Sequence, residues 1–127
     1  MPKLARPLAR ALAALLLLTA GCKGTAATRL EGRWRGVRAE GVPTEAQASA
    51  NAFAAGTEIV VRGNQLAILT PGARPVSATY VVDKDEGADL VLHTDRDRTI
   101  ETFTFADAKT MVWKVDARRS IVFRKTD

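Results

Sequence analysis

From residue 57 to its end, the chain is a succession of short β-prone segments divided by turn residues, and that spacing leaves few folds open. Glu58–Arg62 and Gln65–Leu69 flank Gly63-Asn64, a dipeptide suited to a tight hairpin turn. Val76–Val82, Leu90–His93, Thr99–Phe105, Met111–Val115 and Ser120–Lys125 read as further strands. Between them lie Pro71–Pro75, the charged loop Asp83–Gly87, Asp95–Arg98, Ala106–Lys109 and Asp116–Arg119. Upstream, Leu30–Val37 reads as a first strand whose glycines allow a bend or bulge, and Gly41-Val42-Pro43 breaks it. Thr44-Glu45-Ala46-Gln47 has the form of a capping box, an Ala-rich stretch follows, and Gly56 supplies a stop. This predicts one short helix over 45–55, with Phe53 as its anchor; too short to be stable alone, it must lie on a sheet.

Alternation along the strands assigns their faces. Met111, Trp113 and Val115 share one side, Phe103 and Phe105 share a side with Glu101, and Ile121 and Phe123 point away from Val122 and Arg124. Such strands are half-buried, and strands joined by short turns are antiparallel neighbours. The expected fold is all-β: an up-and-down meander of about eight strands over residues 30–127, with one helix after the first. Closing into a small barrel is the economical way for so many short strands to hide their edges.

The N-terminus carries a different message. Lys3, Arg6 and Arg10 precede the apolar run Ala11–Leu18, and the small residues Thr19, Ala20 and Gly21 lead to Cys22. A charged start, a short apolar centre and a small-residue end make a secretory signal, too short for a span of about 20 residues. Leu18-Thr19-Ala20-Gly21-Cys22 resembles the lipobox of bacterial lipoproteins, with Thr19 where leucine is favoured. The resemblance implies cleavage after Gly21, acyl chains on Cys22 and a membrane anchor. Residues 1–21 are then a signal peptide, and residues 22–29 the lipidated cysteine with a short flexible tether. Lys23, in place of an aspartate, implies sorting to the outer membrane of a Gram-negative envelope, facing the periplasm.

Charge and cysteine content close off other classes. Lys3, Arg6 and Arg10 lie ahead of Cys22, so the formal charge falls from +5 for the chain to +2 for the mature part, and nucleic-acid binding is not expected. Cys22 is the single cysteine among 127 residues, so the fold is held by its core and hydrogen bonds rather than by a disulfide. His93 is the single histidine; with Asp95 and Asp97 it makes at most a weak oxygen site, and the simpler reading is a strand end beside a solvated turn. Asp83, Asp85, Glu86 and Asp89 lack calcium-loop spacing. Ser49, Ser77 and Ser120 sit in no nucleophile elbow. No metal, cofactor or catalytic residue is expected.

Gly32-Arg33-Trp34 near the mature start, followed by a meander, resembles small lipocalin-like domains. In that family the tryptophan closes one end of the barrel under an arginine from the last strand, a part the resemblance gives to Arg124. The helix lies early here, whereas lipocalins carry theirs near the end. Arg33, Arg35 and Arg38 read as an exposed strand face whose stems cover the barrel, or as an anion or headgroup contact close to the tether. Trp34 and Trp113, with Tyr80, Phe103 and Phe105, line a ligand pocket or simply build the core. The expected function is non-enzymatic binding of a small apolar ligand in the barrel mouth or of an envelope protein outside it. The alternative is inhibition of an envelope-directed protease or lysozyme. An enzyme would have to draw on His93, Asp95 and Glu101.

Overall fold

The structure, a computed structural model, describes residues 26–96 and 98–126, with the side chains of residues 26 and 27 left aside. A short helix, α1 (Ala26–Leu30), leads into β1 (Gly32–Glu40). A 3-10 turn (Thr44–Ala46) runs into α2 (Gln47–Ala55). Seven strands follow: β2 (Glu58–Arg62), β3 (Gln65–Leu69), β4 (Val76–Glu86), β5 (Asp89–Thr94), β6 (Ile100–Asp107), β7 (Thr110–Lys114) and β8 (Ser120–Lys125). Each pairs antiparallel with the next, and β8 pairs with β1, so the eight strands close into an up-and-down barrel.

The expected alternation sets the inside. Trp34, Ile59, Val61, Leu66, Tyr80, Leu90, Leu92, Phe103, Phe105, Met111, Ile121 and Phe123 are all buried in one cluster. Register makes these faces agree from strand to strand: Trp34 pairs with Ile59, Val61 with Leu66, Leu90 with Phe103, Phe103 with Trp113, and Met111 with Phe123. Where the parity would fail, a bulge restores it. Gly36 pairs with Phe123 and Arg38 with Val122, so Val37 is the extra residue and Ala39 still points inward.

The middle of the barrel is filled by large side chains, with Trp34, Phe103 and Phe123 fully enclosed. One end is sealed by α1. Leu30 is buried there, its carbonyl accepts from Trp34 Nε1 at 2.9 Å, and the Arg29 guanidinium lies 4.9 Å from the Phe105 ring centre. Arg29 also pairs with Asp85 and donates to the Gly87 carbonyl at 2.6 Å. Residues 26–29, expected to be flexible tether, thus form part of the plug. The apolar Leu30 and the Arg29 fork have partners only if this segment folds back onto the barrel end.

Three other expectations need correction. The Asp83–Gly87 stretch is not a loop: β4 runs through it with a bulge at Asp83, and the turn shrinks to Gly87-Ala88. The helix anchors through Ala54, which is fully buried, rather than through Phe53, which is 45% exposed. The capping box does not form. Thr44 lies inside the 3-10 turn closed by Ala46 N–H donating to Pro43 O at 3.0 Å, and Gln47 turns toward the sheet instead.

That turn of Gln47 explains how α2 sits. β2 covers only the first part of β1, through Arg35, which leaves one side of residues 36–40 without a strand neighbour. Gln47 Nε2 donates to Ala39 O at 2.9 Å, Asn51 Oδ1 accepts from Ala39 N at 3.0 Å, and Gly36 N donates to Thr57 O at 2.9 Å. Two amide side chains stand in for the missing strand, so a sheet edge is covered by a helix.

Candidate binding site at the open end of the barrel

The two ends of the barrel are built differently. At the α1 end, the hairpin tips Gly63-Asn64, Gly87-Ala88 and Ala108-Lys109 surround the plug. Tyr80 adds a strut there, its hydroxyl donating to Gly63 O at 2.8 Å; burial, and then the nearby Glu31 carboxylate, raise its pKa above the ordinary value. At the opposite end, α2 covers the β1 side and the rest is left open. Ile68, Ala78, Thr94, Glu101 and Trp113 point inward there but stay only half-buried, and Val76, Val115 and Phe53 are exposed at the rim.

Trp113 is held by three contacts. It stacks on Phe103 with ring centres 6.3 Å apart, tilts against Phe123 at the same distance, and its Nε1 donates to Glu101 Oε2 at 2.6 Å. Glu101 is therefore a carboxylate on the inner wall, committed to orienting an aromatic ring. A cleft of about 220 Å³ runs between α2 and the end of the β7–β8 hairpin, lined by Ala39, Val42, Ala50, Phe53, Val115 and Ile121 and by the charged Arg119. Its rim is stiffened by the Asp116–Arg119 turn. Asp116 accepts from the Arg119 guanidinium at 2.6 and 2.7 Å and from the backbone N–H groups of Arg118 and Arg119 at 2.9 and 2.7 Å. Those bonds, the Arg119 side chain first, hold the Asp116 carboxyl down at about 2.

Of the residues singled out in the sequence, His93 and Asp95 line one surface hollow with Asp83, Arg98 and Ile100, and the others lie apart from it. Trp34 is enclosed at the sealed end, and Trp113 stands at the open one. Arg124 does not close the barrel: it is exposed on the outer face opposite Arg35, as strand alternation after Phe123 requires. Lys125, one residue later, points inward and puts Nζ 5.6 Å from the Trp34 ring centre. His93 faces outward, with Nδ1 2.8 Å from both carboxylate oxygens of Asp83. Asp95 instead accepts from Thr79 N at 3.1 Å; Asp97 and Cys22 lie outside the described residues.

The acidic run is likewise dispersed: Asp83 goes to His93, Asp85 to Arg29, Glu86 to Lys84, and Asp89 to Thr104. Among the described residues no group of three or more His, Cys, Asp or Glu side chains is placed to hold a metal ion. Alternation puts Glu101 on a side with Phe103, and Trp113 on a side with Met111, but the Glu101–Trp113 bond has no signal in the sequence, because the β6–β7 register that brings the two together is set by a bulge near Asp107. Comparison with known proteins finds no matching family, no curated relative and no matching solved structure.

Proposed function

We propose that this chain is a lipid-anchored protein of the bacterial envelope, non-catalytic, with a lipocalin-like barrel that binds through its open end. The observation that carries the reading is the contrast between the ends: at one, α1 shuts off the interior over Leu30 and Trp34 and leaves only an outer hollow beside Arg29, Asp107 and Lys125, while Phe53, Val76 and Val115 stand exposed around the other. The lipocalin resemblance draws support from Trp34, which lies under a cation of the last strand, although that cation is Lys125. Because the barrel centre is occupied by aromatic and aliphatic side chains, the open end suits an apolar group laid across its rim rather than a ligand swallowed whole. An acyl chain or one apolar side chain of an envelope protein fits that description. The non-catalytic part of the reading is supported by the bonds of the polar groups: His93 and Asp95 line one surface hollow, yet His93 is engaged by Asp83 and Asp95 by the Thr79 backbone, while Glu101 is on the inner wall with Trp113.

Two measurements test this. Trp34 is fully buried, so fluorescence changes on titrating decanoate into residues 23–127 report on Trp113. A saturable shift that Phe53→Asp and Val115→Asp abolish is expected, and a response that never saturates would count against the site. The anchor is tested by palmitate labelling of the full chain, which Cys22→Ser should eliminate.

A further inference from the structure

The small net charge of the mature chain is unevenly placed. In the closed barrel β7, β8, β1 and β2 form one continuous wall. Strand parity puts Arg33, Arg35, Arg38, Arg62, Lys114 and Arg124 on its outer face, against the acidic Glu40 and Glu58. Glu58 meets Arg33 at 3.1 Å and Arg35 at 3.8 Å, and Glu40 meets Arg38 at 4.0 Å. Asp107, at the wall's edge, has its carboxyl lowered chiefly by the Lys109 backbone N–H and least by Arg124. These acids leave the wall with a clear positive excess. Arg35 and Arg124 are directly opposed in register, a like-charge cross-strand pair that disfavours the sheet itself. The outer face of β4, β5 and β6 has the reverse balance: Asp83, Glu86 and Asp89 against Lys84.

We infer that the β7–β8–β1–β2 wall is a docking face for anionic lipid headgroups, which lays the barrel on its side against the membrane. The inference rests on the lipid anchor at Cys22. Four residue steps from Cys22 to Ala26 reach at most about 14 Å, whereas nine-residue β1 is about 30 Å long. So short a connection keeps the barrel at the bilayer, and some face of it must meet the headgroups. The α1 end is less suited, because its charges balance: Arg29, Lys84, Lys109 and Lys125 stand there against Glu31, Asp85, Glu86 and Asp107. The wall that contains β1, the first strand after the anchor, carries the positive excess. Basic groups at an anionic surface act additively over about a Debye length. In this posture the barrel axis runs along the membrane, and the open end faces sideways, free to receive a partner.

The test uses unlipidated residues 23–127, whose strands and core close on themselves without the leader. The chain is sedimented with vesicles of phosphatidylcholine, alone or with one-third phosphatidylglycerol. Binding only to the anionic vesicles, and its loss in 0.5 M salt, is expected. Arg35→Gln, Arg38→Gln and Arg124→Gln together should weaken it by about two orders of magnitude, at about fivefold per basic residue. The control of equal charge, Arg74→Gln, Lys84→Gln and Arg96→Gln, should bind as the parent does. Equal binding to neutral vesicles, equal loss in both triple variants, or no vesicle binding would each overturn the proposal. Retention on polyglutamate without vesicle binding would overturn it too, and would give the wall to an acidic protein. Palmitate labelling of Cys22 is read separately, so a missing anchor and an inactive wall are different results.

Discussion

At Gly36 a hydrogen atom is all that fits. A Cβ placed there would sit 1.8 Å from the backbone oxygen of Ala54, where α2 comes closest to β1. Gly36→Ala is therefore expected to push the helix off the strand and to destabilise the fold by about 1–3 kcal/mol, read as a lower urea midpoint with little change in slope. Asp116 makes a prediction of opposite kind, because it is exposed and acts through bonds within its own turn. Its folded pKa, about 2, lies below that of an unfolded aspartate. The folded state therefore prefers the ionised form. The resulting stability is fully present above the unfolded value and is lost as pH falls through the folded one. Asp116→Asn should lower the thermal midpoint at neutral pH, and the difference from the parent should shrink as pH falls below the unfolded value and vanish only below about 2. A carboxyl resonance titrating near 4 would contradict this.

At the scale of elements, α2 stands on polar contacts more than on apolar ones. Ala54 is its one fully buried side chain, while Gln47 and Asn51 bond the Ala39 backbone and each other, the latter at 2.9 Å. Asn51→Ala leaves a half-covered N–H without its acceptor and should cost about 1–3 kcal/mol in urea unfolding. Substituting exposed Ser49 should change almost nothing. The same helix shows what the sequence can convey. Its position was legible from Ala content and from the breakers on both sides, because those act within a few residues. The roles of Gln47 and Phe53 were not, since they depend on which part of β1 lacks a strand neighbour. Strand identity and facing were legible because a period of two is a local property. Bulges at Val37, Asp83 and near Asp107 were not, and these set where inner side chains meet. The Asp83–Gly87 stretch looked like a loop because its charges are those of a turn; Arg29, contributed by α1, gives Asp85 an inward-facing partner.

For the whole molecule the decisive contact joins its first and last strands. β8 pairs with β7 through Lys114↔Ser120 and its successors, and with β1 through Trp34↔Lys125 to Glu40↔Ser120. Removing it does more than delete a strand. It bares both neighbours along their length, strips Phe123 from Trp113 and Met111, and takes Lys125 from Trp34. A chain ending at Arg119 is therefore expected to lose cooperative unfolding and the near-ultraviolet signal of its packed tryptophans, and to associate through the open edges. A peptide spanning 120–127 should restore both signals by pairing into the gap as a strand, since ladder bonds and the inward Ile121 and Phe123 specify its register. The same peptide with Phe123→Asp should fail, because it would place a charge against Gly36 and Met111 in the barrel centre. A truncated chain that still melts in one sharp transition at the parent's midpoint would mean that closure contributes nothing, and that the barrel is an open sheet held by its hairpins.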